Sequence, residues 1–390
     1  MARQIAVGLD IGSYQIKVVV SEDAGDGGKT PPRIIGTGMS ESRGLHHGYI
    51  VNVPEASQCI KDALREAEKT AGNRIRRVFL GVGGIGLEAV AGQGSAIVSR
   101  GDNEVTELDL EKVRASATQN LGKNSRDNRR IIQSIALGYK LDGKDVYGRP
   151  VGMRGVKLEG KFLFITFLNQ HFEDMREAIE AAGAEIEDAT ASPIAASLVS
   201  LTKQQKAAGC VLANIGSETT SILVFDNGLP ISLEVLPIGA NAITNDIALG
   251  LRIPLEEAEQ LKRGAITGYP VPKKKLEDII AARLSDIFDL IEAHLKKIDR
   301  NGLLPAGIIL TGGGGSIGSI ETMAKAALRI PARIGAPFVP SGGKTQIKDG
   351  SWAVAYGLSL WGLSGEETSM GNPIKALTNM LEKAVRPFLP

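Results

Sequence analysis

Two short stretches of this 390-residue chain carry the same pattern of apolar and polar positions. Ala6–Val20 reads AVGLDIGSYQIKVVV and Val211–Phe225 reads VLANIGSETTSILVF. Each runs an apolar strand into an Ile-Gly-Ser turn and out into a second apolar strand, the pattern of a β-hairpin. Asp10-Ile11-Gly12-Ser13 aligns with Asn214-Ile215-Gly216-Ser217, an offset of 214 − 10 = 204 residues. One hairpin is an ordinary turn; two in register across the halves predict a duplicated α/β unit. A third glycine-rich turn, Thr311–Ser316, follows the apolar strand Gly307–Leu310 and precedes a helix near Ser319.

The remaining periodicity fills in the other elements. A strand is expected at Ile34–Met39, then a helix at Pro54–Ala71 with Ile60, Ala63, Leu64 and Ala67 at helical spacing, then a strand at Val78–Val82. An α+β insert follows. It is expected to hold one helix, Leu110–Leu121, headed by Thr106 and Asp109 in a capping-box arrangement, and strands Ile131–Leu137 and Lys161–Leu168. Helix Glu173–Ala182, strand Glu185–Ala189 and a crossing segment Pro193–Leu201 come next. Helices Asn241–Leu251, Leu255–Lys262 (opened by Pro254 at its first position) and Leu276–Lys297 follow them. Lys273-Lys274-Lys275 precedes the long helix, and Lys296, Lys297 and Arg300 end it, where cations are favoured.

The expected division is a first lobe at 1–85 and 168–195, interrupted by the insert at 86–167. A second-lobe core spans 196–240, with a helical subdomain at 241–305. Residues 306–363 complete the second lobe and return to the first. A linker, 364–373, and a terminal amphipathic helix, 374–390, close the chain. In that helix Ile374, Leu377, Leu381, Val385 and Phe388 share one stripe, with Lys375, Lys383 and Arg386 outside its centre. A helix docked on the core has the same pattern, but the polar, glycine-containing linker favours a tether. The stripe suits an anionic membrane surface rather than a span.

Composition narrows the classes. Lys plus Arg (45) balances Asp plus Glu (44), so no overall field favours nucleic acid. Two cysteines, Cys59 and Cys210, fit a reducing compartment, and Asp10 interrupts any leader-like apolar run. The expected location is cytoplasmic. The four histidines show no metal-ligand spacing and suggest no Ser–His–Asp arrangement.

The two hairpin turns offer backbone N–H groups and hydroxyls to an oxyanion such as a phosphate. Glycines in the 311–316 turn let backbone lie against a flat ligand. Glu259 and Lys262 are i, i+3 neighbours, which reads either as a surface ion pair or as a ribose contact.

These hairpins, Ala258-Glu259 with Lys262, and the Thr-Gly-Gly-Gly-Gly turn resemble the actin, Hsp70 and sugar-kinase superfamily. More narrowly, Ser42–Leu45 with Gly48–Asn52, and Tyr139–Gly143 running into Pro150–Gly155, are similar to the FtsA family of bacterial division proteins. The similarity covers Ile5 to Trp361 and the tail. It implies a duplicated ribonuclease H-like actin fold, two lobes around a nucleotide cleft, plus the C-terminal helix. It also implies ATP with Mg²⁺ as cofactors. Asp10 would hold the metal. Gly12, Ser13, Tyr14, Lys17, Gly216, Ser217, Thr219 and Thr220 would hold phosphate. Glu259 and Lys262 would hold ribose, and Gly313, Gly314, Gly315 and Ser316 adenosine. The implied role is a filament-forming adaptor, peripheral on the cytoplasmic face of the membrane. It would self-associate, bind the FtsZ C-terminal peptide through the helical subdomain, and meet other division proteins through the insert.

The second hairpin departs from the family pattern Asp-Ile-Gly-Gly-Gly-Thr-Thr-Asp. Asn214 and Ser221 are neutral, while Ser217 and Glu218 replace glycines. Slow or absent hydrolysis is therefore expected, unless Glu218 points inward to compensate. A pilus-assembly adaptor like PilM and a sugar-kinase-like phosphotransferase are the alternatives. The first lacks such a tail and the second needs a carboxylate base.

Overall fold

The computed structural model describes residues 4–23, 31–265, 271–337, 347 and 349–364. The expected terminal helix and, apart from Ser364, the linker lie outside them. The first lobe opens with β1 (Gln4–Ile11), β2 (Gln15–Asp23) and β3 (Arg33–Glu41), then β4 (Leu45–His46), β5 (Tyr49–Ile50), α1 (Val53–Ala71) and β6 (Arg77–Val82). The insert holds β7 (Glu88–Ile97), α2 (Glu107–Gln119), α3 (Lys123–Arg126), β8 (Arg129–Leu141), β9 (Lys144–Val146) and β10 (Lys157–Leu168). Then come α4 (Asn169–Ala182), β11 (Glu185–Ala191), α5 (Ser192–Ser200) and α6 (Lys203–Ala208). The second lobe continues with β12 (Cys210–Ile215), β13 (Thr220–Asp226), β14 (Leu229–Leu236), α7 (Ala240–Leu251), α8 (Leu255–Lys262) and α9 (Lys273–Lys297). It ends with β15 (Ile308–Thr311), α10 (Ile320–Leu328), β16 (Ala332–Ile334) and α11 (Ala353–Leu363).

The duplication predicted from two hairpins extends through both sheets. One sheet runs β11-β6-β1-β2-β3 and the other β14-β13-β12-β15-β16. Read from the hairpin outward they are the same: two antiparallel pairings on one side, two parallel pairings on the other. Each hairpin occupies the sheet centre, so its strands are buried on both faces and read as near-continuous apolar runs. Parallel pairing puts the ends of β1, β6, β12 and β15 on one side, where the cleft lies.

Helix α1 shows how local chemistry sets an element. Asn52 accepts from the Glu55 N–H, Pro54 sits in the first turn, and Gly72 ends the helix at φ 71°. Its Ala63 and Ala67 face β3 so closely that a Cβ on Gly38 would strike the Ala67 amide at 2.6 Å. The last helix, α11, packs on β1 and α5, which carries the chain end back to the first lobe.

The insert has its own small core under the antiparallel sheet β7-β10-β8-β9. Thr106 N–H and Oγ1 both donate to Asp109 Oδ2, at 2.8 and 2.7 Å, while Ser99 N–H and Oγ donate to Oδ1 at 2.9 and 2.6 Å. Burial alone would raise the Asp109 pKa, but these bonds outweigh it and bring it to about 2. The insert differs from expectation in three ways: a second short helix, α3, and the strands β7 and β9, whose glycines and charges hide the alternation. Helix starts also move: α2 begins at Glu107, α4 at Asn169 and α9 at Lys273, each three or four residues before the expected position, with Lys273–Lys275 forming the first turn of α9 behind Pro272. Helix α8 spans Leu255–Lys262 as expected, with Pro254 as its cap rather than its first residue.

Candidate functional site

The two hairpin turns face each other across a cleft of about 520 Å³ between the lobes. From the first lobe it is lined by Asp10, Gly12, Ser13, Tyr14 and Lys17; from the second by Asn214, Gly216, Ser217, Thr219 and Ser221. Glu259 and Lys262 of α8 and Gly313, Gly314 and Ser316 after β15 complete one wall. Thr220 does not join them: its hydroxyl donates to the Ile238 carbonyl (2.8 Å), because in the pleat it points opposite to Ser221. Gly315 does not either; it lies buried over Leu310.

Glycine has two distinct reasons here. A Cβ on Gly12 would come within 2.9 Å of the Gln15 carbonyl, so the turn itself requires glycine. At Gly313 a Cβ would meet no protein atom within 4 Å, leaving its backbone open to the cleft. Ser217 Oγ is buried with no hydrogen-bond partner. An unpaired buried hydroxyl at a turn tip is costly unless a ligand completes it.

The charges are arranged around β1 and β2. Asp10 and Lys17 oppose each other in the antiparallel register. Burial pushes the Asp10 carboxyl up to about 6, with Lys17 pulling it back. Burial draws the Lys17 amine down, and Asp10 and Asp349 oppose that shift. Lys17 Nζ also lies 5.6 Å from the Trp352 ring centre. On α8, Lys262 is 7% exposed in its side chain and forms an ion pair with Glu259. It also donates to Thr244 Oγ1 (2.8 Å) and the Ala240 carbonyl (3.2 Å). The surface-pair reading is thus too bland: the pair is half-buried and braces α8 on α7, with Glu259 lining the cleft.

Two hydrogen bonds among the described residues cross the cleft. Arg263 Nη2 donates to the Tyr14 hydroxyl at 3.2 Å. The His47 N–H donates to Glu218 Oε2 at 2.6 Å. Sequence reading missed Gly48, Gly83, Gly84, Arg263 and Asp349 in the cleft lining, and His47 as the partner of Glu218. The Gly83-Gly84 pair after a strand, and Asp349-Gly350, are turn signals that mark two of these places.

A sequence model described as cell division protein FtsA matches residues 211–357, and one described as the SHS2 domain inserted in FtsA matches 89–166. The cell division protein FtsA of Pseudomonas aeruginosa is 29% identical over 99% of this chain and 96% of its own. That of Neisseria meningitidis is 30% identical over 91% and 89%. The chain belongs to the FtsA family. Among solved structures, a chain of the PilM–PilN type IV pilus biogenesis complex matches with TM-score 0.68 at 19% identity, covering 92% of this chain and 98% of that one. MreB5 of Spiroplasma citri bound to ADP matches at 0.51 and 14%, covering 91% and 94%. At these identities the likeness is one of fold, and it is the actin-like fold.

Within the FtsA-family pattern, the departing residues of the second hairpin take up distinct places. Asn214 and Ser221 are cross-strand partners and both line the cleft without charge. Glu218 lines the cleft as well, and its carboxylate is engaged by the His47 N–H of the first lobe.

Away from the cleft the structure corrects one expectation. His294 of α9 hydrogen-bonds Ser232 Oγ through Nε2 (3.0 Å) and Glu234 through Nδ1, a Ser–His–acid chain. Burial draws its pKa down while Glu234 draws it up. The imidazole is 5% exposed and none of the three residues lines the cleft, so the chain pins α9 to β14. Among the described residues, no group of three or more His, Cys, Asp or Glu is placed to hold a metal, and no helix is long and apolar enough to cross a membrane.

Proposed function

We infer that this protein binds ATP with Mg²⁺ between its lobes and serves bacterial division as a filament-forming adaptor between the FtsZ ring and the membrane. The observation that carries the nucleotide reading is the convergence of two glycine turns on one cleft, with Ser217 Oγ left unpartnered between them. Backbone amides of Gly12, Ser13, Gly216 and Ser217 suit phosphate oxygens. Lys17 supplies a buried positive charge behind them. Glu259 reaches toward ribose hydroxyls from its brace on Lys262, and Gly313 offers open backbone to the adenosine.

The metal fits a sparse donor set. Mg²⁺ is commonly held by one or two carboxylates plus phosphate oxygens and water, and Asp10, at the end of β1, is a carboxylate that lines the cleft beside the first hairpin turn. Bound there, Mg²⁺ would neutralise phosphate charge. Asn214 and Ser221 could accept hydrogen bonds from water there but, being neutral, would not act as a base, so these two positions favour binding over hydrolysis.

Family membership supports the division role, since relatives across nearly the whole chain are named cell division proteins. The expected partners remain those of that role: the FtsZ C-terminal peptide at the 241–305 helices, further division proteins at the insert, and a second copy of the chain in the filament. The membrane contact falls to the stripe Ile374–Phe388, which lies outside the described residues. Co-sedimentation of the full chain with anionic liposomes, with and without ATP and FtsZ, tests the reading. The chain should pellet and carry FtsZ with it, and a version ending at Gly371 should stay in solution while still binding ATP. Full pelleting of the shortened chain would remove the tail from the scheme.

A further inference from the structure

Both hairpins end on one loop of the first lobe. The Gly48 N–H donates to Ser13 Oγ of the first hairpin at 3.2 Å. The preceding amide, His47 N–H, donates to Glu218 Oε2 of the second hairpin at 2.6 Å, although the two residues are 171 positions apart. Glu218 Oε1 also lies 3.7 Å from His46 Nδ1, and the Glu218 side chain is 22% exposed. His47 is left-handed (φ 49°) and Gly48 follows at φ 84°, so this amide pair is presented by an unusual, fixed backbone. Gly48 is held there by Gly84, on which a Cβ at Gly48 would collide.

The turn does not need an acid at this position. It closes through the Gly216 N–H to Thr219 carbonyl bond (2.8 Å), which involves no side chain. The tip therefore shows one buried hydroxyl without a partner, Ser217, and one carboxylate committed across the cleft. A carboxylate and a phosphoryl group are the same kind of acceptor for a backbone N–H.

We propose that Glu218 stands where the terminal phosphate of a nucleoside triphosphate would go, and so sets the preference between nucleoside di- and triphosphate. This rests on the nucleotide reading above. A diphosphate ends short of the loop and leaves the Glu218–His47 bridge intact. A triphosphate must either displace the carboxylate from the His47 amide or lie beside it as a like charge. Mg²⁺ lowers the repulsion for both nucleotides and does not remove the difference. Glu218 is in this sense a specificity residue and a brace between the lobes at once.

Calorimetry of ADP and ATP with Mg²⁺, on the full-length wild type, Glu218→Gln and Glu218→Gly, tests it. Glu218→Gln keeps shape and an acceptor but loses the charge. It should move the ATP-to-ADP affinity ratio toward ATP by about tenfold, with ADP affinity nearly unchanged. Glu218→Gly should move the ratio at least as far. In that variant, exchange of the His47 amide should become fast without nucleotide and slow again with ATP. A ratio that does not move, or a parallel loss for both nucleotides, would overturn the proposal and leave Glu218 a brace only. A wild type that binds neither nucleotide would remove the nucleotide reading itself, and this proposal with it.

Discussion

Asp10 carries a charge that the fold disfavours, so Asp10→Asn should stabilise the nucleotide-free protein while weakening its hold on Mg²⁺ and nucleotide. Its carboxyl moves from an ordinary 3.8 to about 6, because burial at the end of β1 outweighs the attraction of Lys17. One pH unit corresponds to about 1.36 kcal/mol, so the charged form costs up to about 3 kcal/mol above pH 6. Water in the open cleft trims this to about 1–3 kcal/mol. A folded-state pKa raised above the unfolded value means stability that is fully present below about pH 4 and is lost as pH rises through about 6. Asn removes that loss. Thermal unfolding at pH 7.5 without nucleotide should show Asp10→Asn melting several degrees above wild type, at about 2–4 °C per kcal/mol. The gap should close below about pH 4, where the wild-type carboxyl is protonated in both states. An Asp10→Asn protein equal to or less stable than wild type at pH 7.5 would refute the reasoning, as would a gap that persists at pH 3.5.

Three further outcomes are expected. Glu259→Ala leaves Lys262 buried without its ion-pair partner, so it should lower stability by about 2–4 kcal/mol in urea unfolding and weaken nucleotide binding in calorimetry. Asp109→Ala should destabilise the insert by about 1–3 kcal/mol, seen as faster amide exchange confined to residues 88–168. Because the folded Asp109 pKa lies below its unfolded value, that penalty should be full above about pH 4 and fade as pH falls through about 2. Phosphate release from ATP should stay well below about 1 per second, since Asn214 and Ser221 offer no charge to a hydrolytic water; turnover at or above that rate would contradict their assigned role.

The duplicated core was legible because each hairpin is central in its sheet. Strands covered on both faces must be apolar throughout, so only the turn can be polar, and the turn's small residues stand out. The same physics hid β7, an edge strand of the insert sheet. Its exposed and buried positions mix glycine, glutamine and serine with alanine and valine, so neither alternation nor a continuous run appears. Helix α2 was readable from its cap, Thr106 with Asp109, although its apolar periodicity is weak. Lys273–Lys275 misled for the opposite reason. Three cations at a helix N-terminus oppose the helix dipole, so local electrostatics argued against a first turn that Pro272 and the apolar face beyond it impose.

At the site, what sequence reading found and what it missed divide along one line. Asp10, Gly12, Gly216 and Gly313 are placed by their own turns, so short-range pattern was enough to bring them to the cleft. Glu218 with His47, Arg263 with Tyr14, and Ser232 with His294 are paired by the way lobes or helices pack, across 171, 249 and 62 positions. No local propensity encodes such a pair, because each partner is compatible with its own turn or helix whether or not the other is present. Glu218 is the clearest instance: on sequence alone it was open whether the side chain points inward. The backbone of the turn is already closed by the Gly216–Thr219 bond, so the side chain was free to follow charge and donors. It turned to an amide that the left-handed His47-Gly48 segment holds out across the cleft, and that segment belongs to the other lobe.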